Sequence, residues 1–153
     1  LEIFHQRFDA ALDVLRTQIG INDDHMLHMD NGGSAEVTRQ RVQNALRNWS
    51  GVERIAIICQ NDKIAAGVLE GARGLGREQH VAVLSYDGTD LAIAEFEKPD
   101  SRLIVSPSFQ PQRYGQQLIE LARRILNGER VPARNYVDPL NLTRWNYREH
   151  LMR

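Results

Sequence analysis

Residues 55–67 read IAIICQNDKIAAG, and the reading of this stretch decides the fold. The apolar run 55–59 is short, continuous and free of polar alternation, which predicts a strand covered on both faces. It stops at Gln60, Asn61 and Asp62. Beyond them Ile64, Val68, Leu69 and Ala72 recur at helical spacing and predict a helix over 62–73. A buried strand, a polar stop and a helix make one unit of a parallel α/β sheet. The polar triplet has two readings: caps for the helix N-terminus, or groups aimed at a ligand. On spacing alone both stay open.

The same alternation runs outward in both directions. Upstream, Phe4, Phe8, Leu12 and Leu15 predict an amphipathic helix over 3–18, and 25–29 predicts a short strand ending at Asp30, Asn31, Gly32 and Gly33. Ser34 then caps a helix carrying Val37, Val42, Ala45, Leu46 and Trp49. Downstream come a strand at 81–86, a short helix at 90–97 and a strand at 103–106. A long helix over 111–126 presents Tyr114, Leu118, Leu121 and Ile125 on one stripe, with Gly128 as its stop. A last short strand is expected at 135–137, and the tail beyond Pro139 has no single reading. The expected fold is α/β, a three-layer α-β-α lobe with a mostly parallel sheet.

Composition narrows the function. The 153 residues are 42% hydrophobic and 25% charged, the balance of a globular domain. Lys and Arg number 19 against 20 Asp and Glu, net −1, with no basic block to track phosphates, so this segment is not expected to grip nucleic acid. No apolar run approaches the roughly 20 residues of a membrane-spanning helix. A single cysteine, Cys59, allows no internal disulfide. The opening LEIFHQRFDAAL reads as a start inside a helix, the expectation for a piece of a longer protein.

In an open parallel sheet, ligands bind beyond the carboxyl ends of the strands. Those positions hold Asp30 and Asn31, then Gln60 to Asp62, then Asp87, Gly88 and Thr89, then Ser106 to Gln110. Carboxylates and amides recur there, and vicinal hydroxyls need such paired donors and acceptors. Phe109 would add a face for a sugar ring. Enzyme readings fare worse. Asp87 resembles the nucleophile of a phosphoryl-transferring loop, but Thr89 stands where that chemistry needs a second carboxylate. Gly71, Gly74 and Gly76 end a helix instead of linking a strand to one, so they cradle no phosphate. His25 and His28 lack a third metal ligand. No enzyme, metal or cofactor is expected; binding is.

The stretch from Cys59 to Gly67 resembles the "Gln-Asn-Asp, then x-x-Ala-x-Gly" signature of type I periplasmic sugar-binding proteins and lactose-repressor-like regulators. VAVLSYDGT at 81–89 is similar to their valine-rich strand ending Gly-Phe-Asp-Gly-Thr, and LNGERVP at 126–132 to their Leu-x-Gly-x-x-Val-Pro exit. The resemblance implies a flavodoxin-like C-terminal lobe, with a sugar clamped against an N-terminal lobe that is not in this chain. It implies that Asn61 and Asp87 bond sugar hydroxyls while Asp62 caps the helix. The candidate site is thus Asn61, Asp87, Phe109, Gln60, Asn31 and Phe4. Two departures stand out: Phe4 replaces an arginine of the family's first helix, and Phe109 replaces a glutamine of ribose-type members. Both argue against a plain ribose pocket. The first strand of such a lobe is also absent ahead of the opening helix. The implied partners are a sugar-like ligand, the missing lobe and the membrane permease of an ABC-type uptake system, in the periplasm. The alternative is a cytoplasmic regulator that meets operator DNA through a separate domain. Tyr86, Asp87 and Gly88 fit the uptake receptor better than the Phe-Asp-Asp of regulators.

Overall fold

The structure is a computed structural model and describes residues 2–151, with side chains described from Gln6 to His150. Its helices are α1 (Glu2–Val14), α2 (Ala35–Asn48), α3 (Asp62–Arg73), α4 (Asp90–Phe96), α5 (Tyr114–Leu126) and α6 (Tyr147–Leu151). Its strands are β1 (Ile55–Ile58), β2 (Val81–Leu84), β3 (Leu103–Ser108) and β4 (Leu140–Thr143). The sheet order is β1-β2-β3-β4; the first three strands run parallel, and β4 pairs antiparallel with β3. This is the alternating α/β architecture that the short apolar runs predict, with a mixed sheet and the topology that the resemblance implies.

The core lies between α2, α3 and one face of the sheet. Ile64, Ala65, Val68, Leu69 and Ala72 of α3 are buried with Val42 and Leu46 of α2 and Val81, Val83 and Leu103 of the sheet. Burying one such aliphatic side chain contributes roughly 1.5–3 kcal/mol. The two helices approach closely because α3 presents Gly67 and Gly71 to them. A Cβ at Gly67 would sit 2.3 Å from the Ala35 carbonyl oxygen, and one at Gly71 2.9 Å from that of Arg39. The glycine of the Ala-x-Gly signature is therefore a packing device. Arg77 closes the far end of α2 by donating to the carbonyl oxygens of Leu46, Trp49 and Val52, the last at 2.6 Å. Those carbonyls have no partner within the helix.

Two expected strands are absent. Residues 25–29 form no strand: a short turn, Asp23–His25, leads into extended backbone with no sheet partner. Extended backbone becomes a strand only when a neighbour pairs with it, and β1 occupies the sheet edge without reaching this segment. Met29 still packs on the core, and Arg41 donates to the Asp30 carbonyl. The segment 135–137 is likewise unpaired; the last strand falls later, at β4. The first helix ends at Val14 in a wider turn, Leu15–Ile19. Helix α5 buries none of its residues, and Leu118 and Ile125 of its apolar stripe are 64% and 57% exposed.

Behind α3 lies a carboxylate network. Arg73 grips Glu95 with two parallel bonds of 3.0 and 2.6 Å, Ser101 donates to Glu95 at 3.1 Å, and Lys98 pairs with it. Burial pushes the Glu95 carboxyl up, but the bonds from Arg73 and Lys98 outweigh it and hold the pKa at about 2. A folded-state pKa below the unfolded one stabilises at pH above the unfolded value, and that contribution is lost as pH falls through the folded value. From the ordinary 4.5 down to about 2, the wild-type protein therefore loses stability that Glu95→Gln does not. The difference is about 2–3 kcal/mol across that window. Urea titrations of both proteins at pH 6 and pH 3 check it, and parallel pH dependences would contradict it.

Candidate functional site

Asp62 is the hub around which the strand ends gather. Its carboxylate is buried (3% exposed) and accepts from Ser85 Oγ after β2 at 2.7 Å and from Ser106 Oγ of β3 at 2.6 Å. It also accepts from Thr89 backbone N–H at 2.7 Å and Thr89 Oγ1 at 2.8 Å, at the start of α4. Ser106 Oγ in turn accepts from Gly88 N–H at 2.9 Å. One carboxylate so fixes the start of α3 and the loop after β2 against strand β3.

This corrects the expectation that Asp62 caps the helix. The cap of α3 is Asn61, whose Oδ1 accepts from Ile64 N–H at 3.0 Å, while Asp62 is inside the first turn. Asp62, one residue further on, stands within hydrogen-bond reach of Ser85 and of Ser106 in β3. The Asn61 amide nitrogen makes no hydrogen bond among the described residues, so its oxygen caps the helix while its two donors stay uncommitted. Gln60 is half-buried beside it. Cys59 lies under the loop with its thiol pushed up to about 12 by burial and then by Asp62, which keeps it protonated.

Asp87 is the most unusual residue of the site. Among the described residues, it and Gln110 are the non-glycine positions with left-handed backbone, at φ 103° and 52°. They follow adjacent strands and are joined where Asp87 bridges to Ser108 and its N–H donates to Pro107 O at 2.9 Å. Strain of this kind costs roughly 1–3 kcal/mol per residue and collects at functional sites. The next residue, Gly88, has φ 61°, and a Cβ there would lie 2.5 Å from that of Ser108, so the loop is pressed onto β3. No described group donates to the Asp87 carboxylate. Its pKa is raised, first by burial and then by Asp62, with Arg7 pulling the other way. It caps nothing: α4 follows Thr89.

Arg7 escaped the sequence reading. Its guanidinium carbon lies 5.0 Å from the ring centroid of Tyr86 and 5.0 Å from that of Phe109, so the loops after β2 and β3 clasp a cation from α1. One ring face of Phe109 thus holds Arg7 instead of being offered to a sugar. The signal was present: Arg7 stands three positions after Phe4, one helical turn along the same face. The side chain of Phe4 itself lies outside the described ones. Asn31 spends its Oδ1 on Gly33 N–H at 2.9 Å, closing its own turn, and makes no hydrogen bond to the strand-end loops. The structure thus brings Asn61, Asp87 and Phe109 to the carboxyl edge of the sheet and gives Asn31 a local task.

Asn61, Asp87 and Phe109 are each half-buried at this edge. A shallow cleft of about 500 Å³ lies elsewhere, between α5 and residues 135–137, lined by Tyr114, Leu118, Leu121 and Tyr136. It follows from the unburied stripe of α5 and lacks converging carboxylates. Chemically, the sheet edge gathers the Asp87 carboxylate, the Asn61 amide and a guanidinium clasped by two aromatic rings.

The model of the periplasmic binding protein-like domain family matches residues 2–145. The ribose import binding protein of Salmonella typhimurium is 32% identical over 97 residues, covering 63% of this chain and 31% of its own length. A putative rhizopine-binding protein of Rhizobium meliloti is 30% identical over 115 residues, 72% of this chain and 37% of its own. An ABC transporter solute binding protein from Agrobacterium vitis, solved with bound allitol, superposes with a TM-score of 0.77 at 19% identity, over 95% of this chain and 51% of its own. The chain spans about a third of the curated relatives it matches and about half of that structure.

Proposed function

Because the chain belongs to the periplasmic binding protein-like domain family, we propose that it supplies one wall of a sugar- or polyol-binding cleft in the receptor of an ABC-type uptake system. The observation that carries the reading is Asp87: a strained, partly desolvated carboxylate with no described donor, aimed from the strand ends where ligands of open α/β sheets bind. A residue held at that cost is explained by a ligand hydroxyl that completes it. The curated relatives, a ribose import protein and a putative rhizopine-binding protein, support a polyhydroxylated ligand. Both named relatives are binding proteins, and neither is a regulator.

In this reading the chain is the C-terminal lobe, the ligand is clamped between it and a second lobe, and closure presents the pair to a membrane permease in the periplasm. The protein binds and releases; no residue is assigned a covalent step. One wall alone makes only part of the contacts and cannot offset the cost of immobilising the ligand. The ¹⁵N-labelled chain titrated with D-ribose, D-glucose and myo-inositol is therefore expected to bind in the millimolar range or weaker. The amide shifts should concentrate at Asn61, Asp87 to Thr89, and Phe109 to Gln110. Shifts centred on the α5 cleft, or micromolar affinity by calorimetry, would sink the reading.

A further inference from the structure

We propose that the recess where the start of α6 meets the end of α4 is a docking surface for an acidic protein segment, anchored on Trp145. Tyr147 and Arg148 stand beyond the residues 2–145 that match the family, so the family assignment says nothing of this surface. The recess holds about 420 Å³ and is lined by Phe96, Lys98, Arg144, Trp145 and Arg148, with Glu97 as the acid among them. It lies at the far end of the sheet from the candidate site. Arg144 donates to the carbonyls of Pro99 at 2.7 Å and Ser101 at 3.3 Å, just ahead of β3, whereas Asp87 and Phe109 follow the carboxyl ends of β2 and β3. A partner seated here leaves the candidate site uncovered.

Two features point to a protein segment. The Trp145 ring is 73% exposed, yet the turn that presents it is locked. Asn146 Oδ1 accepts from Thr143 N–H at 2.8 Å, and Asn146 Nδ2 donates to Asn141 O at 3.0 Å. Tyr147 is buried, its ring centroid 5.6 Å from that of Phe96. An exposed ring on a fixed turn loses little freedom on association, and tryptophan and arginine dominate the energetic centres of protein interfaces. The cation beside it is also held in place. Arg148 Nε donates to the Tyr147 hydroxyl at 2.9 Å, its guanidinium carbon 5.5 Å from that ring's centroid. Its two terminal nitrogens make no hydrogen bond among the described residues and suit a carboxylate. Lys98 is already paired with Glu95 and contributes less. Three cations against one acid complement a segment that carries Asp or Glu around an aromatic residue. A bare anion would engage the arginines and leave Trp145 without a contact.

The test titrates the ¹⁵N-labelled chain with acetyl-Glu-Glu-Phe-Glu-Glu-amide and with its lysine counterpart, following the Trp145 indole N–H and the Arg148 amide. The acidic peptide is expected to shift both, and more weakly as salt rises from about 20 to about 200 mM and screens the charges. The lysine peptide should shift neither. Trp145→Ala should weaken the acidic peptide about tenfold or more, read at the Arg148 amide. Arg148→Gln should weaken it severalfold and flatten the salt dependence, read at the Trp145 indole. Arg124→Gln, the same loss of charge on exposed α5, should change nothing. Unchanged core amides at Val83 and Leu103 serve as the folding control, and the Asp87 and Thr89 amides should stay unshifted. The inference is overturned if neither peptide moves the Trp145 signal, if the lysine peptide binds equally well, or if Trp145→Ala and Arg148→Gln bind like wild type. It is also overturned if free glutamate moves the same signals as strongly as the peptide, because the recess is then a small-anion site. The sugar-cleft reading stands in each of these cases.

Discussion

Replacing Asp62 by alanine is expected to lower the unfolding free energy by about 3–5 kcal/mol, a large share of the roughly 5–15 kcal/mol that holds a domain together. The carboxylate accepts four hydrogen bonds, from Ser85, Ser106 and both the backbone and side chain of Thr89. Alanine would orphan the hydroxyls of Ser85 and Ser106, which are 1% and 0% exposed and have little water to turn to. Each orphaned buried donor costs about 1–3 kcal/mol, partly offset because a buried charge disappears. Asp62→Asn should cost less, since only the oxygen facing Thr89 becomes a donor. The alternative, Asp62 as an ordinary helix cap, predicts a loss of about 1 kcal/mol for alanine. Urea unfolding of both variants separates the two, and an alanine loss near 1 kcal/mol would contradict the hub. Beyond stability, Asp62→Ala should blur the site, because the start of α3, the loop after β2 and strand β3 share this one anchor.

The parallel part of the sheet was legible because its strands are short apolar runs closed by polar residues. Val81 and Val83 alternate in burial with their neighbours, yet the run read as a covered strand all the same. The helix α3 was legible to the residue, from its apolar spacing. The segment 25–29 was not. A strand is a property of a pair, and no periodicity within 25–29 reports whether a neighbour reaches it. The last strand β4 was missed for a related reason: Leu140 and Leu142 alternate with polar residues in a tail whose only guide is its pairing with β3.

The site was half legible. Asn61 and Asp87 were placed at the sheet edge because strand ends can be counted off the sequence. Their roles could not be counted off. Asn61 and Asp62 are neighbours of similar capping strength, and only the distance to Ser85 and Ser106 decides which one caps and which one crosses. Arg7 was passed over because the resemblance directed attention to position 4, whereas a helix presents positions 4 and 7 on one face. The strain at Asp87 is invisible in sequence, since aspartate gives no sign of a φ of 103°.

That strain supplies the most direct measurement. Glycine adopts positive φ without penalty, so Asp87→Gly should leave the fold as stable as before or up to about 1 kcal/mol more stable. The same change removes a carboxylate that, in the proposed cleft, accepts charge-assisted bonds from ligand hydroxyls. Such bonds are worth about 1.5–3 kcal/mol each, so affinity should fall roughly tenfold or more. A structural aspartate would behave in the opposite sense, losing stability and sparing binding. The measurement is a pair of titrations on wild type and Asp87→Gly: urea unfolding, and amide shifts with whichever of D-ribose, D-glucose or myo-inositol perturbs the wild-type strand ends most. Equal or higher stability together with at least tenfold weaker binding is the result expected of a ligand carboxylate at the sheet edge; lowered stability with unchanged binding would contradict it.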